Sequence, residues 1–375
     1  MNDFPYAWKV SRLENPLTWT PEKIEIMVRA CQEISQYHYT HCPEIAHIYH
    51  KNKFDPQMIC EEQDLINIPT LCVTAMKRFL ITSMPHEHAV LKQTSSGTRG
   101  QKTQIWFDQG SLDRVQTMLD TLLEQEGIVS QKKYNYLVFV YDPAEATDLG
   151  ISYTAKNQLR FAPVHKVFYT IKKDVRGEWT FQLEQTMACL EDYLRMDLPV
   201  RILGMPAFIY TFLKHLVTHN KSYSLHPDSW MLTGGGWKTA EDQHITRVEM
   251  RALVHSCLGF SAEKIRDGFG MAEHSAPYFE CRLHRFHVPV YNRVYCVDPV
   301  NLEPMPDGQI GLMHLITPFN AMMPTLSLLT TDYVRVFPDK CQCGWDSPTF
   351  EVMGRAGLQK HKGCAMTAAD ILRRR

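Results

Sequence analysis

At 375 residues the chain fits about two domains, or one large domain with an appendage, on a prior of roughly 150 residues per domain. Hydrophobic residues at 44% and charged residues at 22% are ordinary globular usage and exclude a chain disordered throughout. Forty Lys and Arg against forty-one Asp and Glu leave a net charge of -1, so no global field draws the protein toward nucleic acid or an anionic membrane.

The N-terminus, Met1 to Pro5, lacks a basic flank followed by an apolar core and does not read as a signal peptide. The first ninety residues read as helical. Thr20 followed by Pro21 and Glu22 is a helix start, with a capping hydroxyl, a first-turn proline and a carboxylate at the positive dipole end. Ile24, Val28, Cys31 and Ile34 then share one face. Thr94 to Thr103 is a polar, glycine-containing interruption, after which Ser111–Gln125 reads as an amphipathic helix. The apolar run Tyr136–Tyr141, closed by Asp142-Pro143, predicts a buried strand. Further strands are expected at Val200–Leu203 and Trp230–Thr233, with helices near Phe181–Arg195, Pro206–Thr218 and Glu241–Ser256. This alternation argues for an α/β sheet whose strand-end loops bind the ligand. From Val288 the character changes to short strands, Asn292–Val297, Ile310–Ile316 and Tyr333–Phe337, separated by Asp-Pro and Pro-Asp-Gly turns.

The longest stretch without Asp, Glu, Lys or Arg, Gly308 to Thr331, is broken by Pro318 and Pro324, so no transmembrane segment is expected. Eleven cysteines are too sparse for a disulfide scaffold and odd in number, which points to a cytoplasmic address. Cys31, Cys72 and Cys189 stand in apolar contexts and read as buried thiols.

The segment Thr94-Ser95-Ser96-Gly97-Thr98-Arg99-Gly100-Gln101-Lys102-Thr103 has the makings of an anion loop: glycines to turn N–H groups inward, hydroxyl donors, and Lys102 for charge. A P-loop register fails, because Ser95 stands at the first glycine's place and Lys102 is one position too far from Gly100. Considered alone, the segment reads as a surface turn. It resembles the phosphate loop of the adenylate-forming superfamily. Gly268-Phe269-Gly270-Met271-Ala272-Glu273 resembles that superfamily's aromatic-Gly-x-Thr-Glu motif, with Ala272 where Thr is usual. Thr330-Thr331-Asp332 resembles its Thr-Gly-Asp motif, with Thr331 in the glycine place, and Gly354-Arg355 matches its Gly-Arg element. A closer likeness lies in Ile202–Pro206, Leu232-Thr233-Gly234-Gly235-Gly236-Trp237-Lys238, Pro304–Met313 and Lys362-Gly363-Cys364-Ala365-Met366. These are similar to the acyl-protein synthetases of bacterial fatty acid reductases, from about Trp19 to the C-terminus.

The resemblance implies an α/β adenylate-forming large domain, with layered sheets and a small β region, over residues 1–340. Residues 341–375 would be a C-terminal segment in place of the superfamily's full mobile domain, since only twenty residues follow Arg355. It further implies ATP and Mg²⁺. Thr94, Ser95, Ser96, Gly97, Thr98, Gly100 and Lys102 would hold the phosphates, and Glu273 would contact Mg²⁺. Gly234, Gly235 and Gly236 would admit adenine closely, and Phe269 would stack on it. Asp332 would take the ribose hydroxyls, with Arg355 as the Gly-Arg arginine. Cys364 is the nucleophile implied by the family's Lys-Gly-Cys context, and Lys360, His361 and Lys362 supply positive charge beside it. Composition alone would make it an ordinary surface cysteine.

The implied function is activation of a medium- or long-chain fatty acid as acyl-AMP, transfer to Cys364, and delivery to an acyl-CoA reductase-like protein or an acyl carrier protein. Two other readings stand beside it: an acyl- or aryl-CoA ligase like phenylacetate-CoA ligase, and a catalytically silent acyl-binding module. A structural zinc held by Cys281, His287, Cys341 and Cys343 is a further expectation, with His284 as an alternative ligand and four unrelated reduced residues as the opposing reading.

Overall fold

The computed structural model describes residues 3–94, 103–146, 155–235 and 245–355. Helix Pro21–His41 begins where its sequence signals place it, and the Thr20 side chain accepts from the Lys23 N–H at 3.3 Å. Such a cap is worth roughly 1 kcal/mol. Met27, Val28, Cys31 and Ile34 form its buried stripe. Helix Gln109–Gln125 starts two residues earlier than expected because Asp108 caps it, accepting from the Ser111 N–H at 3.2 Å.

Seven strands form the larger sheet, in the order Tyr278–Phe279, Ile265–Phe269, Trp230–Gly234, Val200–Gly204, Tyr134–Tyr141, Val164–Lys173, Trp179–Phe181. The five inner strands run parallel and both edges are antiparallel. All eight residues of the central strand Tyr134–Tyr141 are buried, as a parallel strand covered on both faces requires. Helices Leu183–Leu194, Pro206–Thr218 and Arg247–Leu258 follow the strands they cover. The last starts at Arg247, not Glu241: Thr246 and Glu249 close a capping box, and Gly259 at φ +74° ends the helix.

The second sheet is antiparallel, ordered Phe286–His287, Thr349–Arg355, Ser327–Phe337, Ile310–Ile316, Arg293–Val297, with Leu71–Cys72 added in parallel to Ser327–Phe337. No helix interrupts it, as the sequence indicates. Each sheet has its own apolar core, and the second shares its core with the N-terminal helices. Ser327–Phe337 begins six residues before the expected start at Tyr333, extended by its pairing with Ile310–Ile316. Cys31 is buried as expected, but Cys72 is exposed and Cys189 only half-buried. Alternation along the two-residue strand turns Leu71 inward and Cys72 out. Among the described residues no helix is long and apolar enough to cross a membrane.

Candidate active site

The carboxyl ends of the parallel strands meet along one edge of the larger sheet. Gly204 lies opposite both Phe139 and Thr233, and Gly234 lies opposite Gly268. This is the edge on which an open α/β sheet binds ligands. Gly204 holds φ +133°, and a Cβ there would stand 2.5 Å from the Phe139 carbonyl oxygen, so no larger residue fits. Gly235 turns the chain off the edge at φ +85°. The expected adenine-side glycines Gly234 and Gly235 are therefore at the ligand edge.

Phe269 ends the neighbouring strand and pairs with Tyr278, so that residues 270–277 form the turn of a hairpin. Its ring stands 6.2 Å from Phe286 and 6.0 Å from Phe350, joining an aromatic cluster that ties the hairpin to the second sheet. Glu273 lies in this turn. It is 6% exposed, and its carboxylate has no cationic side chain paired with it among the described residues. A carboxylate left without a cationic partner is open to a cation, and its hard oxygens suit Mg²⁺.

On the second sheet Asp332 and Arg355 are opposite each other across paired strands, and the Arg355 Nε lies 3.1 Å from the Asp332 Oδ1. Asp332 is buried and its own N–H donates to the Thr330 hydroxyl at 3.1 Å. The two expected ribose-side residues thus form one unit. Thr94 closes strand Leu91–Thr94, opposite Gln104 of the antiparallel strand Gln104–Phe107. Ser95, Ser96, Gly97, Thr98, Gly100, Lys102, Gly236 and Cys364 lie outside the described residues.

Four other expected ligands converge. The ligand atoms of Cys281, His287, Cys341 and Cys343 all lie within 4.8 Å of one another. The Cys281 and Cys341 sulfurs are 3.9 Å apart, and the Cys343 sulfur is 3.2 Å from His287 Nε2. Two thiolates on a tetrahedral Zn²⁺ at ~2.3 Å would be about 3.8 Å apart. His287 Nδ1 bonds the Ser347 hydroxyl at 2.8 Å, which leaves Nε2 turned to the cluster. Burial holds the His287 pKa down to about 4, so the ring is neutral and able to ligate. Burial also pushes the Cys281 thiol up to about 12. Three thiols and a neutral imidazole at these separations could hold a metal ion. Gly344 supplies φ +102° for the turn after Cys343. His284 is not part of the group; its Nδ1 faces Glu280 at 3.6 Å.

Sequence reasoning missed the charged residues behind the ligand edge: Asp267, Glu280, Arg247 and Arg251. The sequence shows only a carboxylate between apolar neighbours in Phe279-Glu280-Cys281; its partners Asp267 and Arg247 come to it through the fold.

The two sheets, the parallel-strand ligand edge and the glutamate hairpin together have the fold of the adenylate-forming ligases. The chain aligns with 2-hydroxyisobutyryl-CoA ligase in its postadenylation state with 2-HIB-AMP at a TM-score of 0.68 and 15% identity, over 89% of this chain and 68% of that one. A long-chain-fatty-acid-CoA ligase from Archaeoglobus fulgidus aligns at a TM-score of 0.50 and 13% identity, over 74% and 53%. Within that class, the model of the family described as acyl-protein synthetase, LuxE, matches residues 13–372, and the chain belongs to this family. It is 25% identical over 368 residues to the long-chain-fatty-acid–luciferin-component ligase of Vibrio harveyi, covering 95% of this chain and 90% of the relative. The Aliivibrio fischeri ligase of the same name is 22% identical over 365 residues, covering 96% and 93%.

Proposed function

We propose that the protein activates a medium- or long-chain fatty acid with ATP and carries the acyl group on Cys364. The observation that supports this most is the convergence of Gly234, Gly235 and the Glu273 hairpin at the carboxyl edge of the parallel strands, in a chain of this family. A free carboxylate is a poor acyl donor because its oxygen leaves badly. In the first half-reaction a carboxylate oxygen of the acid attacks the α-phosphorus of ATP, the bond to pyrophosphate breaks, and acyl-AMP forms. Lys102 and the donors of residues 94–100 hold the departing phosphates, and Glu273 would hold Mg²⁺, which when bound would supply positive charge to the phosphates. Gly234, Gly235 and Gly236 leave room for adenine beside Phe269. Asp332, held by Arg355, accepts from the ribose hydroxyls.

In the second half-reaction the Cys364 thiolate attacks the acyl carbonyl. The bond to the AMP oxygen breaks, AMP leaves with the electron pair, and the acyl group rests as a thioester. Residues 1–340, with Arg355 beside Asp332, carry activation, and residues 341–375 carry the acceptor. The thioester passes to a reductase-like or acyl carrier partner. The described cysteines are all free thiols, in keeping with a cytoplasmic setting. Cys281, His287, Cys341 and Cys343 hold a structural Zn²⁺; with four protein ligands there is no open position for a reacting water.

Incubation with ATP, Mg²⁺ and fatty acid should produce a hydroxylamine-sensitive acyl adduct by intact mass. Cys364→Ser should lose that adduct while keeping ATP–pyrophosphate exchange. An adduct that survives the substitution would move the acyl group to another cysteine.

A further inference from the structure

A network of charge built around the buried Glu280 lies directly behind the ligand edge, with the Arg247 side chain 43% exposed at its outer side. Glu280 is 1% exposed and follows the outer strand of the Glu273 hairpin. Its Oε2 accepts the Asp267 N–H at 2.9 Å and faces Arg251 Nη1 at 3.8 Å and His284 Nδ1 at 3.6 Å. Its Oε1 faces Arg247 Nη1 at 3.7 Å. Arg247 also reaches Asp267, with its Nε 3.3 Å from Oδ2. The other Asp267 oxygen accepts the Thr233 hydroxyl at 2.7 Å and the Gly268 N–H at 3.1 Å.

Each member touches a different segment of the ligand edge. Thr233 immediately precedes Gly234-Gly235, and Asp267 immediately precedes Gly268-Phe269-Gly270. Glu280 closes the hairpin whose turn holds Glu273, and Arg247 opens the helix that follows the glycine segment. A buried carboxylate such as Glu280 is costly to desolvate and contributes when it fixes one arrangement of the groups around it. Here Glu280 and Asp267 share the Arg247 guanidinium, which ties the hairpin, the strand before Gly268 and the start of the helix to one another.

We infer that Glu280, acting through Arg247 and Asp267, is a positioning residue that holds the adenine-side glycine edge and the Glu273 turn at the spacing that Mg-ATP requires. It makes no contact with the reacting atoms. The inference rests on reading this edge as the ATP site. Glu280→Gln keeps the shape and the acceptor for the Asp267 N–H but removes the charge. Calorimetry should show Mg-ATP binding weakened about tenfold, and pyrophosphate exchange should show KM for ATP raised by a similar factor. The fatty acid KM should be unchanged and kcat altered far less. Asp267→Asn should shift ATP affinity in the same direction, and the double variant should fall short of the product of the two effects. Glu280→Asp, which keeps the charge, should recover part of the loss.

Unchanged ATP affinity in folded Glu280→Gln overturns the inference, as does an equal rise in both KM values, the mark of a general loss of structure. If Glu280→Gln does not fold, Asp267→Asn decides in the same two readouts. A wild-type protein that binds no Mg-ATP and shows no exchange overturns the ATP-site reading itself. Wild-type exchange with indifferent variants overturns the positioning role alone.

Discussion

His38 is a fully buried imidazole held neutral by desolvation. Its Nε2 donates to the Asn320 carbonyl at 3.1 Å, so its Nδ1, 2.7 Å from the Ser83 hydroxyl, must accept. Burial lowers its pKa from 6.5 to about 3, and that of the buried His314 from 6.5 to about 4. In the unfolded chain both imidazoles take up protons near pH 6.5; in the folded protein neither does until the pH is much lower. Their contribution is therefore present above pH 6.5 and is lost as the pH falls toward 4. Each site gives a slope of up to about 1.4 kcal/mol per pH unit. Denaturant midpoints should fall less between pH 6.5 and 4 in His38→Gln than in the wild type, since Glu126, whose burial raises its pKa to about 8, acts in the opposite sense equally in both. Equal falls in the two proteins would contradict this. Glu273 and Asp332 were legible as single residues because each belongs to a short motif. Glu280 was not, because its meaning lies in Asp267 and Arg247, thirteen and thirty-three positions away, which only the folded hairpin and helix bring to it.

The Cys/His group shows how elements were legible to different degrees. Cys341-Gln342-Cys343-Gly344 announces a half-site, but its other half depends on strand Phe286–His287 pairing with Thr349–Arg355. Helices opened by a proline, Pro21–His41 and Pro206–Thr218, match their sequence signals, the first with a Thr20 cap as well. Val164–Lys173 did not stand out, because its exposed first half mixes His165 and Lys166 with valines and shows no alternation of apolar and polar residues. Ile265–Phe269 contains Arg266, Asp267 and Gly268, poor strand formers that pairing on both sides holds extended. Protein purified without a histidine tag should contain about one equivalent of zinc per chain, as a closed four-ligand site requires. Cys341→Ser should lose most of that zinc and melt at a lower temperature, since metal affinity is folding free energy. Zinc below about a tenth of an equivalent, with melting unmoved by chelator, would leave four reduced side chains and no metal site.

Across the whole molecule, two sheets with separate cores carry the expected site groups: the glycine edge and Glu273 on the parallel sheet, and Asp332 with Arg355 on the antiparallel one. The α/β class was legible from alternation, and the adenylate-forming arrangement from motif order. The mixed topology was not, because strand order depends on crossovers that no local pattern records. The most direct test of acyl activation is ATP–pyrophosphate exchange across a series of fatty acids. The wild-type protein should show exchange that depends on both Mg²⁺ and fatty acid, and Glu273→Gln should slow it roughly a hundredfold, the scale of a lost metal contact. Absence of fatty-acid-dependent exchange at every chain length would contradict the account.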